Sequence, residues 1–345
     1  MAAILYKLST GNLIPLYIFE YRQQITESTM FKNLILIILS IPPMLALSQS
    51  HYGPEPVFDF LTRFDHVRDF CLNPTQDEAY FTIQSPNEEI AVIVFSKKTN
   101  GQWVEPKLTS FTGTYRDIEP FITPDGLRLF FSSNRPLVKG DAPKADYDIW
   151  YVKREINNGP WSEPIHLEGP VNTLHNEFYP FLSKNGNLYF TSDANHESSK
   201  DDIYYSAWGG KAYGKPILLD QQINSPGYEF NAYISPDEDM LIFTAYNRSG
   251  GMGSGDLYLS RKDSLGHWTS SYNLGNTINS KYMDYCPFWD AANQLLYFTS
   301  KRSTVTPKTF LSLLAFEQVA GQYENGLSRL YKVAFIPPEG SGLAK

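Results

Sequence analysis

The chain has 345 residues, a formal net charge of −8 and an aromatic content of 15%. No basic run offsets that acidic balance, which excludes the electrostatic footprint of a nucleic-acid-binding protein. With 23 Tyr, 22 Phe and only 6 Met, the composition favours stacked β-sheets, and the length fits one large all-β domain better than two domains.

The first recognisable segment begins at Met30. A single lysine is followed by an apolar run over residues 34–47 and by small residues around Ser48, which is the pattern of a secretory signal. We predict that residues 1–29 are not part of the mature protein and that residues 30–48 are a signal peptide, cleaved near Ser48. The mature chain would then be periplasmic or secreted.

The alternative is that translation starts at Met1, so that the same run is an internal anchor. The run is short for a bilayer and contains Pro42 and Pro43, so we expect no stable membrane span.

A repeated β-meander occupies the rest of the chain. Each unit opens on an acid at the start of an apolar run, and continues with a second run that ends in an aromatic residue and a Ser or Thr. The units begin near residues 68, 116, 176, 228 and 283. This spacing is that of propeller blades with loop insertions.

The fifth unit ends after its third strand, near residues 333–335. Its missing fourth strand is found at the other end of the domain, where residues 55–60 (EPVFDF) align with the fourth strand at residues 163–167. An N-terminal strand that completes the last blade closes the ring and removes an exposed sheet edge. We therefore predict an all-β fold, a five-bladed β-propeller of four-stranded antiparallel blades over residues 52–338, with a tail at 339–345.

The repeats resemble the WD-repeat-like propeller repeats of the TolB type found in bacterial cell envelopes. The matching motifs are Thr-Pro-Asp-Gly at residues 123–126 and the Asp-Ile/Leu-aromatic triplets that begin at Asp148, Asp202 and Asp256. Blade 1 lacks the triplet, and Arg329 replaces its aspartate in blade 5. The resemblance implies a propeller of the cell envelope, but the architecture hosts both scaffolds and enzymes.

The candidate site is a ring of acids at one mouth of the central channel. We expect these acids, which open the five innermost strands, to share that mouth with three arginines from nearby loops. The predicted binding residues are Asp69, Asp117, Glu177, Glu229, Asp284, Arg135, Arg248 and Arg302.

Two interpretations of the acids remain open. In the first, they hold a polar ligand or a Ca²⁺ ion, for which Asp117, Glu177 and Glu229 would supply oxygen ligands. In the second, each acid is a structural brace for the turn before it or for a basic residue. Recurrence in every blade favours the brace, since a site normally uses different residues from different blades.

The two cysteines, Cys71 and Cys286, each follow an acid by two residues, in blades that are neighbours in a closed ring. They are either a disulfide that latches the ring or two buried thiols that lie too far apart to bond.

Blade 5 has a long insertion between its second and third strands. Thr306 is a suitable N-cap, Pro307 suits the first helical position and Gly321 suits the C-terminal cap. We predict a short helix over the mouth, with an apolar stripe that packs on its own blade or covers the channel.

Catalytic motifs such as Gly-x-Ser-x-Gly and His-Glu-x-x-His do not occur in the sequence. We therefore expect a monomeric binding or scaffold module for a protein or carbohydrate of the cell envelope, with no cofactor apart from the Ca²⁺ considered above. The alternative is a glycan-active hydrolase or lyase that uses carboxylates at the channel mouth.

Overall fold

The computed structural model describes residues 53–194 and 200–338. The predicted signal peptide, the residues before it and the tail at 339–345 lie outside the described residues. Within the described ranges, no helix combines the length and the apolar character needed to cross a bilayer.

Almost all of the regular secondary structure in the described residues consists of short antiparallel strands. In chain order they begin with β1 (Glu55–Pro56), followed by blade 1, which contains β2 (Val67–Leu72), β3 (Glu78–Gln84), β4 (Ala91–Thr99), β5 (Gln102–Trp103) and β6 (Lys107–Leu108). Blade 2 contains β7 (Asp117–Ile122), β8 (Arg128–Ser133), β9 (Asp148–Lys153) and β10 (Ile165–His166). Blade 3 contains β11 (Glu177–Leu182), β12 (Leu188–Ser192), β13 (Asp202–Ser206) and β14 (Ile217–Leu218). Blade 4 contains β15 (Tyr228–Ile234), β16 (Met240–Tyr246), β17 (Gly255–Arg261) and β18 (Tyr272–Asn273), and blade 5 contains β19 (Asp284–Asp290), β20 (Leu295–Ser300) and β21 (Arg329–Ala334).

The predicted five-bladed propeller is confirmed. The strands form five separate sheets, and in four of them the order runs through four strands from the innermost to the outermost. The fifth blade is completed by β1, which pairs with β21 so that Glu55 lies opposite Lys332 and Pro56 opposite Tyr331. The N-terminal strand therefore closes the ring as the alignment predicts.

Each innermost strand contains a β-bulge near its start. At the bulge one non-glycine residue has a left-handed backbone with φ between 50° and 60°. These five residues are Asp69, Glu119, Tyr179, Asn231 and Cys286. Such a φ is uncommon outside glycine, and a bulge re-aims the side chain that it carries. We call these five residues the axis positions, because four of their side chains meet across the channel in the bonds described below, and the backbone N–H of Tyr179 joins them by donating to Glu119 at 2.7 Å.

The bulges show that the predicted alignment of blade 1 was wrong by two residues. Cys71 pairs with Tyr80 as Phe121 pairs with Phe130. Asp69 therefore occupies the bulge position of Glu119, and the place of the opening acid is taken by Val67. The sequence alignment matched Arg68-Asp69 with Arg116-Asp117 and missed this offset, although the Asn-Pro turn at residues 73–74 matches Thr123-Pro124.

The hydroxyl at the end of the second strand joins neighbouring blades. Thr82 accepts a hydrogen bond from the backbone N–H of Glu119 at 3.1 Å. Thr191 does the same for Asn231 at 3.0 Å and Thr299 for Asp69 at 3.1 Å. In these three blades the threonine of the second strand thus satisfies the bulge N–H of the next blade, whereas the equivalent hydroxyls of Ser132 and Thr244 have no partner within the described residues.

Both cysteines are free and buried, so the disulfide interpretation was wrong and the buried-thiol interpretation is confirmed. The corrected alignment explains this, because Cys286 is an axis position whereas Cys71 is two residues further along its strand. Burial raises the pKa of Cys71 to about 12 and that of Cys286 well above its usual range.

The helix of blade 5, α1 (Leu313–Ala320), begins later than predicted. Ser312 is its N-cap and accepts a bond from the backbone N–H of Ala315, while Gly321 is the C-cap as predicted. The expected packing of an apolar stripe was also wrong, since no residue of α1 is buried. Leu313 and Leu314 are largely exposed.

Candidate functional site at the channel mouth

A cavity of about 260 Å³ opens where the innermost strands begin. We call it the mouth cavity. Its lining is a mixture of charged and aromatic side chains: Arg68, Glu88, Arg116, Ile118, Glu119, Tyr147, Phe178, Thr191, Asp201, Phe230, Asn231, Met283, Tyr285 and Lys301.

Every blade contributes one equivalent residue to the wall. The residue directly before the axis position of each innermost strand lines the cavity, from Arg68 in blade 1 to Ile118, Phe178, Phe230 and Tyr285 in the other blades. One structural position therefore provides a guanidinium, an aliphatic group and three aromatic rings. This position therefore makes no contact that is repeated from blade to blade.

The floor is a buried polar network built from the axis positions. The Nη2 of Arg68 donates to Oε1 of Glu119 at 2.7 Å, and its Nε donates to Oδ1 of Asp69 at 2.8 Å. Asn231 donates to the same Glu119 oxygen at 3.2 Å. The Cys286 thiol donates to Asp69 at 2.8 Å. Four blades therefore meet in one cluster on the channel axis.

Two carboxyl groups of the cavity have raised pKa values. The pKa of Glu119 is raised to about 7, mainly by burial. The charge of Asp69 raises it further, and the charge of Arg68 opposes the increase. Burial also raises the pKa of Asp201 to about 6, with contributions from Asp193 and Asp202. Both groups therefore change charge close to neutral pH.

The predicted acids of blades 2 to 5 do not line the mouth cavity. We call Asp117, Glu177, Glu229 and Asp284 the brace acids, because each accepts hydrogen bonds from the turn that precedes it. Glu177 accepts from the backbone N–H and the hydroxyl of Thr173 at 3.1 Å and 2.6 Å. Glu229 accepts the same pair of bonds from Ser225 at 2.8 Å and 2.6 Å.

Two brace acids also hold an arginine of the predicted set. Asp117 accepts a bond from Arg135 at 2.5 Å, and Asp284 accepts one from Arg302 at 3.0 Å. The third arginine, Arg248, donates to the backbone oxygen of Ile223 at 3.4 Å instead. These contacts support the brace interpretation.

The structure does not gather the predicted residues into one site. Each brace acid stays with its own turn, and Arg135 lines a separate cavity formed by blade 2 and the segment that precedes it. Of the eight predicted residues, Asp69 alone contacts the central network. It does so because it occupies an axis position, two residues beyond the position that the sequence alignment assigned to it. A binding role for the others stays a prediction.

The predicted calcium site also stays a prediction. Asp117, Glu177 and Glu229 lie in separate blades, and their oxygens are engaged by local donors. Over residues 53–194 and 200–338, no three His, Cys, Asp or Glu residues are placed to hold one metal ion.

Sequence reasoning missed Glu119, Asn231, Arg68 and the aromatic wall. The signal was present, because these residues lie one and two positions after the opening acid and differ from blade to blade. The opening acid was chosen instead because it recurs, which is the property of a brace.

The other end of the channel is different in character. A second cavity of about 250 Å³ lies where the innermost strands end, and its walls include Leu72, Ile122, Leu182, Ile234 and Trp289. Asp290 at its rim already accepts bonds from Gln76 and Asn293. The channel therefore has a polar mouth and an apolar mouth.

Comparison with known proteins bears on the fold alone. No protein family and no curated protein matches the chain. Among solved structures, the chain is similar to the putative TolB from Agrobacterium tumefaciens, with 14% identity, a TM-score of 0.46, and coverage of 79% of this chain and 91% of that one. TolB from Acinetobacter baumannii is 12% identical with a TM-score of 0.43, over 69% of this chain and 49% of that one, so the chain spans about half of its length.

A glycoside hydrolase is also similar, at 10% identity with a TM-score of 0.50, over 85% of this chain and 93% of that one. TolB proteins are thus among the structural neighbours, and the fold that this chain shows is a five-bladed β-propeller.

Proposed function

We propose that the protein is a carbohydrate-binding propeller that acts in the cell envelope or outside the cell and holds its ligand in the mouth cavity. The observation that carries this proposal is the wall itself, in which one repeated position presents different side chains from five blades. The signal-like segment at residues 30–48 supports the location.

The chemistry of the lining favours a sugar. Phe178 and Phe230, which are half-buried in the lining, offer aromatic surface for the apolar faces of a sugar, while Asn231 and Arg116 offer hydrogen-bonding groups for hydroxyls. A concave, partly apolar cavity with a few placed polar groups is the usual form of a small-ligand site. A flat protein interface would need a much larger surface.

The test is a screen of oligosaccharides by melting temperature, followed by calorimetric titration of each positive sugar. A ligand at a hundredfold excess over its Kd stabilises the folded state by about 2.7 kcal/mol, which raises the melting temperature by several degrees. The Phe178→Ala variant should lose the shift, and the Phe60→Ala variant, which removes a half-buried ring stacked on Phe58 outside the cavity, should keep it. A screen without any binding sugar would contradict the proposal.

A second candidate function is glycan cleavage at the same cavity. It is favoured by Glu119, whose pKa of about 7 suits a general acid, in a cavity that also contains Asp201. Sugar turnover that disappears in Glu119→Gln while binding persists would establish it. Binding without turnover in the wild-type protein would leave the binding function alone.

A further inference from the structure

The mouth cavity contains two hydrogen-bond donors that no described residue satisfies. They are the hydroxyl of Tyr147 and the Nε of Arg116, both of which are buried and without a hydrogen-bond partner within the described ranges. The Tyr147 side chain is only 6% exposed. A buried donor without an acceptor costs free energy, so an acceptor is expected at this position when the cavity is filled.

The two donors belong to one structural unit. The guanidinium of Arg116 lies over the ring of Tyr147 at 5.2 Å from its centroid. The backbone N–H of Arg116 is fixed by Asn134 at 2.9 Å, and that of Tyr147 by Asn176 at 3.1 Å. The backbones of both residues are therefore anchored and the guanidinium is stacked on the ring, which reduces the ordering that a ligand has to impose and lowers the cost of binding.

The charge of this part of the wall is positive and incompletely compensated. Among the described residues, the carboxylate nearest to Arg116 is that of Glu88, at 3.9 Å, which is beyond hydrogen-bonding distance. Lys301 lines the same cavity. An acceptor that carries one negative charge would therefore gain charge-assisted hydrogen bonds from this wall.

The remaining lining limits how much charge the ligand can carry. Glu119, Asp201 and Glu88 also line the cavity, so a dianion such as phosphate would meet stronger repulsion than a carboxylate would. The aromatic wall formed by Phe178, Phe230 and Tyr285 favours a carboxylate carried by a sugar ring.

We infer that the mouth cavity recognises an acidic glycan, with the carboxylate of a uronic acid bound by Arg116 and Tyr147. This inference rests on the proposed carbohydrate-binding function and names the class of sugar.

The experiment compares a trimer of galacturonic acid with the same trimer methylated at its carboxyl groups. The two probes have nearly the same shape and differ in charge. The acid should bind about tenfold more tightly than the ester or better, because hydrogen bonds between charged partners contribute more than neutral ones. The preference should weaken as salt is added.

Two variants test whether Arg116 and Tyr147 cause the tighter binding of the acid. Arg116→Gln and Tyr147→Phe should each bring the affinity for the acid close to that for the ester and leave ester binding nearly unchanged. Tyr331→Phe is the matched control for the tyrosine, since Tyr331 also has a buried hydroxyl without a partner in the described residues and lies under Arg302 at 4.6 Å, outside the cavity. Arg128→Gln is the control for the arginine. Both controls should behave as the wild type.

The outcomes separate the two proposals. Equal binding of acid and ester would overturn the acidic-glycan inference and leave carbohydrate binding intact. Failure of every sugar, neutral or acidic, would overturn both. Tighter binding of inorganic phosphate, or of a short peptide through its terminal carboxylate, would also overturn the inference.

Discussion

Two positions that lie two residues apart on each innermost strand have opposite roles in this propeller. The brace acids recur from blade to blade and bond to their own turns, whereas the axis positions vary and bond to one another across the channel. Asp117 and Glu119 illustrate the difference, since the first accepts bonds from Thr112 and Ser133 of its own blade and the second from Arg68 and Asn231 of other blades. Repetition therefore marks the residues that build the ring, and variation marks the residues that can form a site.

The largest expected loss of stability comes from substituting a brace acid that holds a buried arginine. Asp117→Ala would leave Arg135, which is 7% exposed, without its carboxylate. Stranding a buried charge costs about 3–5 kcal/mol, so thermal unfolding should show a fall in melting temperature on the order of 10 °C. A variant with the same melting temperature as the wild type would mean that Asp117 is not a brace.

The axis positions should make stability depend on pH. The pKa of Glu119 in the folded protein, about 7, exceeds its ordinary value of 4.5, so the folded state holds this proton more tightly than the unfolded state. Its contribution is therefore complete below pH 4.5 and is lost as the pH rises towards 7, by roughly 3 kcal/mol for a shift of this size. Denaturant unfolding between pH 4.5 and 8 should show the decline, and Glu119→Gln should make it shallower; an unchanged slope in that variant would argue against this origin.

Substituting a brace acid that holds no arginine should lower the free energy of unfolding less than substituting Asp117 does. Glu229→Gln disturbs the two bonds from Ser225 but strands no charge, so we expect a loss of about 1–2 kcal/mol. Urea unfolding measures the loss directly. A decrease as large as that of Asp117→Ala would show that the arginine is not what separates the two acids.

The smallest changes in stability should come from removing the hydroxyls of the second strands. Removal should destabilise the protein at one position and leave it unchanged or slightly more stable at another. Thr82→Val removes one of the two acceptors of the Glu119 N–H, the other being Oδ2 of Asp69, and should cost up to about 1 kcal/mol. Thr244 is equivalent in blade 4, but its hydroxyl has no partner in the described part of the chain. Thr244→Val should thus be neutral or slightly stabilising, and equal losses in both variants would contradict the proposed role of the interblade bond.

The sequence allowed the ring to be predicted because ring closure depends on repeated features. The acid, the turn and the second-strand hydroxyl recur, and the match of residues 55–60 to a fourth strand located the closing strand. Blade 1 was misaligned because Val67 stands where the other blades have an acid, while Asp69 supplies an acid two residues later. The pairing of Cys71 with Tyr80 gives the correct register, with which the Asn-Pro turn at residues 73–74 agrees.

The mouth cavity could not be predicted in the same way. Its floor depends on β-bulges, which turn Glu119 and Asn231 towards the axis and which no single residue type signals at these positions. The start of α1 was also missed, because Thr306 and Ser312 are both acceptable caps and the backbone at Ser312 decides between them. Local patterns thus identified the elements, and the contacts between blades determined the site.

The central claim is that the ligand occupies the polar mouth and not the apolar one. Hydrogen–deuterium exchange with the most tightly bound oligosaccharide tests it most directly. The account predicts protection in peptides that cover residues 116–119, 228–231 and 283–285, and no change near residues 234–236 and 288–291. Protection confined to the latter segments would contradict it, because those residues line the apolar cavity at the opposite end of the channel.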